Sequence, residues 1–185
     1  KKCSRIASLI CKTFISKNCD LKLRAYKTYV LPILDYCSSV YNPCKISDIN
    51  LIERIQRRFT KNILRNDMCY EDRLKYLSLK TLEKRRLISD ILLNYKILHG
   101  QIPDLINMFS FKNATANTRS SVFPNLEVSK FNLNIKKYSF VNRMINIYNL
   151  LPVTLKSTNG FNPAKFKNNL ETANLTEHLR GAIKC

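Results

Sequence analysis

Hydrophobic residues recur at three- and four-residue steps along most of the chain, which is the spacing of amphipathic helices. The pattern predicts a helix over residues 3–17 and a second one that begins at Asp20, the expected N-cap. Pro32 lies inside this second pattern and should split it near Leu31, because proline lacks the N–H that a helix interior needs.

The longest regular pattern runs from Asp48 to about Arg65. Its two faces are predicted to be an apolar one, made of Ile52, Ile55, Phe59 and Ile63, and a cationic one, made of Arg54, Arg57, Arg58, Lys61 and Arg65. At 3.6 residues per turn the two stripes lie on nearly opposite sides of one helix. One side should therefore pack on the protein and the other should face solvent.

Further helices follow from the same spacing together with their start and stop signals. Thr81 is a suitable cap for a helix that runs to Leu98 and is ended by Gly100. The remaining predicted helices cover residues 71–77, one or two turns within 103–109, 138–151 and 163–174.

Residues 110–136 differ from the rest, because they are rich in Asn, Ser, Thr and Lys. Within them Phe131, Leu133 and Ile135 alternate with polar residues, which is compatible with a short strand or β-hairpin. The predicted fold is therefore mainly α. A helical bundle at 1–109 is followed by an irregular or short-strand linker at 110–136 and a smaller helical extension at 137–185.

Charge indicates the class of partner. The 185 residues include 32 Lys and Arg against 13 Asp and Glu, a net charge of +19. Such an excess favours nucleic acid, whose phosphates are neutralised by Lys and Arg with release of counterions. A merely solvated basic surface and an anionic membrane surface are the alternatives. The membrane ranks lower, because the apolar stripe at 48–65 is narrow and has matching stripes elsewhere to pack on.

The cationic face at 48–65 is the predicted binding site. Arg54, Arg57, Arg58, Lys61 and Arg65 would reach phosphates together from one rigid helix. About five such contacts would give a log–log salt slope near −4 on a duplex. Tyr29, Tyr36 and Tyr41 could stack on bases, whereas the spacing of Tyr26 favours the core.

Catalytic and metal-binding templates are missing from the sequence. None of its seven cysteines forms a C-x2-C or C-x4-C pair, so a zinc site is not expected. Free, mostly buried thiols in a reducing intracellular compartment, nuclear or cytoplasmic, are the simpler interpretation. The chain has no apolar run long enough to span a membrane and no initial Met, which is typical of a fragment.

The order of several motifs resembles the region after the palm in reverse transcriptases of LINE-type, non-LTR retrotransposons of the Jockey-like branch. The similar segments are Leu23-Arg24-Ala25-Tyr26-Lys27-Thr28-Tyr29-Val30-Leu31-Pro32-Ile33-Leu34-Asp35-Tyr36-Cys37-Ser38-Ser39-Val40-Tyr41-Asn42-Pro43, Ile52-Glu53-Arg54-Ile55-Gln56-Arg57-Arg58-Phe59-Thr60-Lys61, Tyr70-Glu71-Asp72-Arg73-Leu74, Leu79-Lys80-Thr81-Leu82-Glu83-Lys84-Arg85-Arg86, Tyr95-Lys96-Ile97-Leu98-His99-Gly100, Thr118-Arg119, Tyr138-Ser139-Phe140-Val141-Asn142-Arg143, Asn149-Leu150-Leu151-Pro152, and Phe161 with Phe166-Lys167-Asn168-Asn169-Leu170. They occur in the family's order over about residues 1–170. Tyr41 and Tyr148 depart from the pattern, since the family usually has Trp there.

The resemblance implies a thumb-like helical bundle and a downstream extension that hold the backbone of RNA or of an RNA/DNA template–primer. The expected partners are that nucleic acid and the remainder of the polymerase, with no membrane. The family's aromatic-x-Asp-Asp motif, which holds the divalent metal ions, is absent from this sequence. No catalytic residue, cofactor or enzymatic activity is therefore expected of this chain alone. The alternative is a non-enzymatic helical remnant or protein-interaction scaffold with no nucleic-acid role.

Overall fold

The computed structural model describes residues 2–14, 18–64, 67–112, 125–128, 130–156 and 161–172. The described chain is mainly helical, which confirms the predicted fold class. Two compact units are present, Lys1–Arg86 and Leu87–Cys185. Their division lies upstream of the predicted linker at 110–136.

Six helices begin in the described part of the first unit. They are α1 (Lys2–Thr13), α2 (Cys19–Tyr29), α3 (Leu31–Asp35), α4 (Ile46–Leu64), α5 (Tyr70–Tyr76) and α6 (Leu82–Leu98), the last of which continues into the second unit. Pro32 occupies the first turn of α3, so the predicted break at Leu31 is confirmed. The predicted cap of α2 is wrong by two residues. Asn18 is the N-cap, because its side chain accepts the N–H of Asp20 at 3.0 Å.

The core of the first unit forms around α4, which packs on α1, α2 and α5. Tyr26 is fully buried, as predicted, and its ring stacks on Phe59 with centroids 4.1 Å apart. The predicted apolar face of α4 is only partly correct. Of its four members, Phe59 is buried but Ile52, Ile55 and Ile63 are half-buried, whereas the polar residues Glu53, Gln56 and Thr60 are buried. Because α4 has neighbours on several sides, a single apolar stripe does not describe its burial.

The second unit has its own buried cluster. After α6 come α7 (Pro103–Ile106), α8 (Asn134–Lys137), α9 (Phe140–Leu150), α10 (Val153–Lys156) and α11 (Pro163–Thr172). Tyr95 of α6 stacks on Phe166 of α11, with centroids 4.1 Å apart. Met144 and Ile147 of α9 are fully enclosed in the same cluster.

The strand predicted around Phe131–Lys136 is wrong. Residues from Asn134 form the helical turn α8, and Leu133 and Ile135 are 70% and 87% exposed. The alternation has no packed surface to support it, so the backbone closes its hydrogen bonds locally instead, as from Tyr138 N–H to the Asn134 carbonyl at 3.0 Å. Among the described residues an isolated antiparallel bridge forms further upstream, between Phe111 and Leu126.

Candidate nucleic-acid interface

The predicted cationic residues of α4 are on its surface. Arg54, Arg57, Arg58 and Lys61 are all exposed. Arg65, the fifth predicted member, lies outside the described residues. Glu53, Gln56 and Thr60 are buried on the side of α4 away from Arg54 and Arg58, which fixes the rotation of the helix about its own axis.

A buried hydrogen-bond network holds α4 in that rotation. Glu53 accepts hydrogen bonds from the Tyr70 hydroxyl and, at 2.9 Å, from the Leu82 N–H. Gln56 accepts the Tyr26 hydroxyl at 3.1 Å, and it donates to the Tyr70 hydroxyl at 3.1 Å and to the Lys80 carbonyl at 2.9 Å. One side of α4 is thereby tied to α2, to α5 and to the start of α6. Such a satisfied network rigidifies a helix, which suits it as a support for surface cations.

The same burial changes the ionisation of the network. Desolvation raises the pKa of Glu53, and the hydrogen bonds it accepts from Tyr70 and Leu82 oppose this rise only in part. Desolvation also raises the pKa of Tyr70, and the neighbouring Glu53 carboxylate raises it further. The Tyr70 hydroxyl therefore stays protonated and donates.

A groove of about 730 Å³ lies between α1 and α4. Arg54 and Arg58 line it from α4, and Arg5 and Lys12 line it from α1. All four side chains are exposed at the surface. The described lining of the groove contains no Asp or Glu, so the positive potential of the four cations is not cancelled locally.

Polar and apolar groups share the space between the cations. Ser4, Ser8 and Asn62 supply short hydrogen-bonding side chains. Leu9 and Leu51 also line the groove and are 63% and 65% exposed. The groove can thus accept an anionic, partly apolar chain along its length.

The five predicted cations do not act as one set. Arg57 projects away from the groove, because it is next to Arg58 in the sequence and neighbouring residues of a helix project about 100° apart. Its guanidinium lies 5.1 Å from the centroid of the Tyr70 ring, a cation–π contact next to the buried network. Lys61 is exposed on α4 but does not line the groove. The structure therefore brings together Arg54 and Arg58 and separates Arg57 from them.

Arg5 and Lys12 were missed by the sequence analysis, which used only the apolar stripe of α1. A signal for them was present. The two residues are seven apart, which places them on one side of a helix. Nothing in the sequence states, however, that this side faces α4.

Several arginines of the similar motifs are engaged in contacts within the protein. The guanidinium of Arg85 pairs with the Asp35 carboxylate, and Arg86 donates to the Leu34 carbonyl at 2.7 Å. Arg143, in the second unit, pairs with buried Asp90 at 3.0 Å. Their position in the motifs is explained by packing, which leaves the groove cations as the candidates for binding.

Membrane spans and metal clusters are not found in the described chain. No helix there has the length and apolarity to cross a membrane. Nowhere in the same residues do three or more His, Cys, Asp or Glu side chains come close enough to hold a metal ion.

The described residues thus form a mainly helical protein whose first unit carries a cationic groove. No protein-family model matches the chain, and no solved structure matches it. Over 124 residues, or 65% of its length, the chain is 26% identical to an uncharacterized protein of Caenorhabditis elegans. The match covers 59% of that protein's length.

Proposed function

We propose that this chain is the thumb-like helical part of a LINE-type reverse transcriptase, and that it holds RNA or an RNA/DNA hybrid by its backbone. The observation that carries the binding role is the groove between α1 and α4, with cations on both sides and no acidic residue in its described lining. The assignment to a retrotransposon polymerase rests on the order of the similar motifs along the sequence.

The chemistry of the groove suits phosphates rather than bases. Arginine presents a planar fork of N–H donors that matches phosphate oxygens, and Arg5, Arg54 and Arg58 supply three such forks. Contacts to phosphate set the position of a nucleic acid without reading its sequence. Binding should therefore be strongly salt-dependent and nearly indifferent to base composition.

Polymerisation is assigned to the palm of the proposed parent polymerase. The two adjacent aspartates that hold the catalytic metal ions in this family are not in the sequence. In this proposal the chain binds the template–primer, and the palm holds the metal ions and carries out the reaction.

The test is the salt dependence of binding to a labelled RNA/DNA hybrid, followed by fluorescence anisotropy. The triple variant Arg5→Ala, Arg54→Ala, Arg58→Ala removes three cations that line the groove. It should bind more weakly, and its log–log salt slope should flatten by about one for each phosphate that is no longer neutralised. Arg57 is left in place, because its contact with Tyr70 gives it a packing role.

A matched control removes the same charge elsewhere in the first unit. Lys27, Lys45 and Lys75 are exposed and do not line the groove. Their triple alanine variant should keep most of the affinity and of the slope. If the two triple variants bind alike, the groove is not the site, and negligible or salt-insensitive binding by the parent chain would refute the proposed function.

A second candidate function, docking of a protein partner, is favoured by the exposure of Leu9 and Leu51 in the groove. An acidic amphipathic helix would match both the leucines and the cations. The variant Leu9→Ser, Leu51→Ser separates the two functions. It should leave the salt slope on nucleic acid unchanged, whereas it would weaken the binding of a helical partner.

The proposed compartment is a reducing one. Cys3, Cys11, Cys19, Cys37 and Cys69 are free thiols. The expectation that the thiols are mostly buried is wrong for this set, since Cys37 and Cys69 are exposed and the other three are half-buried. Exposed thiols persist where the medium keeps them reduced, which supports a nuclear or cytoplasmic location.

A further inference from the structure

The second unit contains a cavity of about 250 Å³ that has no part in the nucleic-acid binding proposed for the groove. It is lined by residues of α6, α9, α10 and α11 together with His99 and Phe111, all within that unit. Its volume is below the range of about 300–1,000 Å³ that is typical of pockets for drug-sized ligands. A ligand of one or two fused rings is therefore the size that fits.

Aromatic rings dominate the walls. Tyr95 lies against Phe166 at a centroid distance of 4.1 Å and an interplanar angle of 13°, and His99 approaches Tyr95 at 4.0 Å. Tyr148 and Phe111 line the same space. Walls of this kind select flat molecules, because a planar ring can extend the existing stack.

One residue in the lining of this apolar cavity carries a buried polar atom that has no partner in the described part of the chain. Asn94 lines it and is only 3% exposed, and among the described residues its Oδ1 has no hydrogen-bond partner. A buried carbonyl oxygen without a donor is unfavourable and is rare in native proteins. A ligand that brings an N–H group to Asn94 would satisfy it.

A cation supplies the complementary donor. Lys156 lines the cavity, and its ammonium lies 4.7 Å from the centroid of the Tyr148 ring. Its hydrogen bonds to Asn125 Oδ1 and to the Asn149 carbonyl are long, at 3.3 and 3.4 Å. An ammonium has three N–H donors, so a third remains for a ligand acceptor. Partial burial also lowers the pKa of Lys156.

We propose that this cavity binds a single amino-bearing nucleobase, with its exocyclic N–H₂ on Asn94 Oδ1, an acceptor atom toward Lys156 and its ring against the aromatic walls. Asparagine is a common partner of adenine, and stacking on aromatic side chains is the usual way in which proteins hold unpaired bases. The base would come either from a free nucleoside or from an unpaired nucleotide of a bound strand. Only the second source rests on the proposed function.

The first experiment uses the whole chain and free adenosine in about 0.5 M salt, where phosphate contacts are weakened. Calorimetry should detect adenosine binding, and purine riboside, which lacks the amino group, should bind about tenfold more weakly. The variant Asn94→Leu should lose this preference for adenosine. Equal binding of both nucleosides, or no binding of either, would overturn the proposal.

A second variant keeps the proposal testable if Asn94→Leu does not fold. Lys156→Met keeps the aliphatic stem and removes the ammonium, and it should weaken adenosine binding severalfold while circular dichroism and the thermal melt stay as in the parent chain. If a folded Lys156→Met variant binds adenosine as tightly as the parent, the assigned role of Lys156 is wrong.

A further arm distinguishes the two sources of the base. Oligoadenylate should bind more tightly than an equally long strand with abasic sites if the cavity takes a base from a bound strand. Equal affinity of the two strands, with adenosine binding retained, assigns the cavity to a free nucleoside. The groove variant Arg5→Ala, Arg54→Ala, Arg58→Ala should still bind adenosine, so loss of backbone binding by the groove and loss of adenosine binding by the cavity are measured separately.

Discussion

At the scale of single residues, the charged side chains of α4 have opposite tasks. Glu53 is buried and accepts hydrogen bonds from the Tyr70 hydroxyl and the Leu82 N–H, whereas the next residue, Arg54, is exposed on the groove. The carboxylate accepts two donors, yet desolvation still raises its pKa. The ionised form of Glu53 is therefore less favourable in the folded protein than in water, although its hydrogen bonds hold α4 in its rotation.

The pH dependence of the free energy of unfolding should show that ionised Glu53 is unfavourable in the fold. Because the pKa of Glu53 is higher in the folded than in the unfolded state, its protonation stabilises the fold as the pH falls below neutrality. The gain is complete below the ordinary glutamate pKa of about 4.3 and disappears as the pH rises through the raised value. Urea unfolding between pH 7 and pH 4.5 should show a contribution of at most about 1.4 kcal/mol per pH unit that Glu53→Gln lacks.

The exposed Glu127 provides the control for this measurement. Glu127→Gln makes the same substitution at an exposed position, and the pH curve of Glu53→Gln is compared with that of this variant and of the parent. Parallel curves for the parent and Glu53→Gln would show that Glu53 does not titrate with a raised pKa in the folded protein.

At the scale of elements, α6 shows why a simple apolar stripe is insufficient. Three of its buried residues are polar and four positions apart, namely Arg86, Asp90 and Asn94. Arg86 donates a hydrogen bond to the Leu34 carbonyl in the first unit, and Asp90 forms an ion pair with Arg143 in the second unit. The helix is thus buried on more than one side, and its polar stripe is used for internal contacts.

The start of α6 depends on a local cap. The Thr81 hydroxyl accepts the N–H of Lys84 at 3.2 Å. Thr81→Ala should lower the free energy of unfolding by about 1 kcal/mol, measured by urea denaturation, because that N–H loses its partner. Thr81→Ser keeps the hydroxyl and should retain most of the stability. Equal losses in both variants would assign the effect to the removed methyl group instead.

At the scale of the whole molecule, each unit has its own buried cluster. Phe59 belongs to the cluster of the first unit and Met144 to that of the second. Both side chains are almost completely inaccessible. Truncation of either should therefore leave a cavity in one cluster only.

Amide hydrogen exchange can measure this separation. Phe59→Ala should cost about 3–5 kcal/mol and speed exchange in α2 and α4, with α9 and α11 remaining protected. Met144→Ala should cost about 2–5 kcal/mol and give the reverse pattern. Equal loss of protection in all four helices, from either variant, would mean that the two units open as one.

Much of the secondary structure is predictable from the sequence because its causes are local. Pro32, Thr81 and Gly100 act on backbone groups within one helical turn, and the predicted break, cap and helix end are all found. The alternation at 131–136 failed as a strand signal for the complementary reason, since a strand needs a partner that sequence spacing does not supply.

The sequence by itself determined the mainly helical fold, the positions of most helices and the exposure of Arg54, Arg58 and Lys61. Only the tertiary structure decided that Arg5 and Lys12 face Arg54 and Arg58 across a groove, and that Asn94 and Lys156 line one cavity. The physical reason is the distance along the sequence over which each effect acts. Helix formation depends on residues within about four positions of one another, whereas these sites join residues about 40 to 60 positions apart, whose meeting is set by packing.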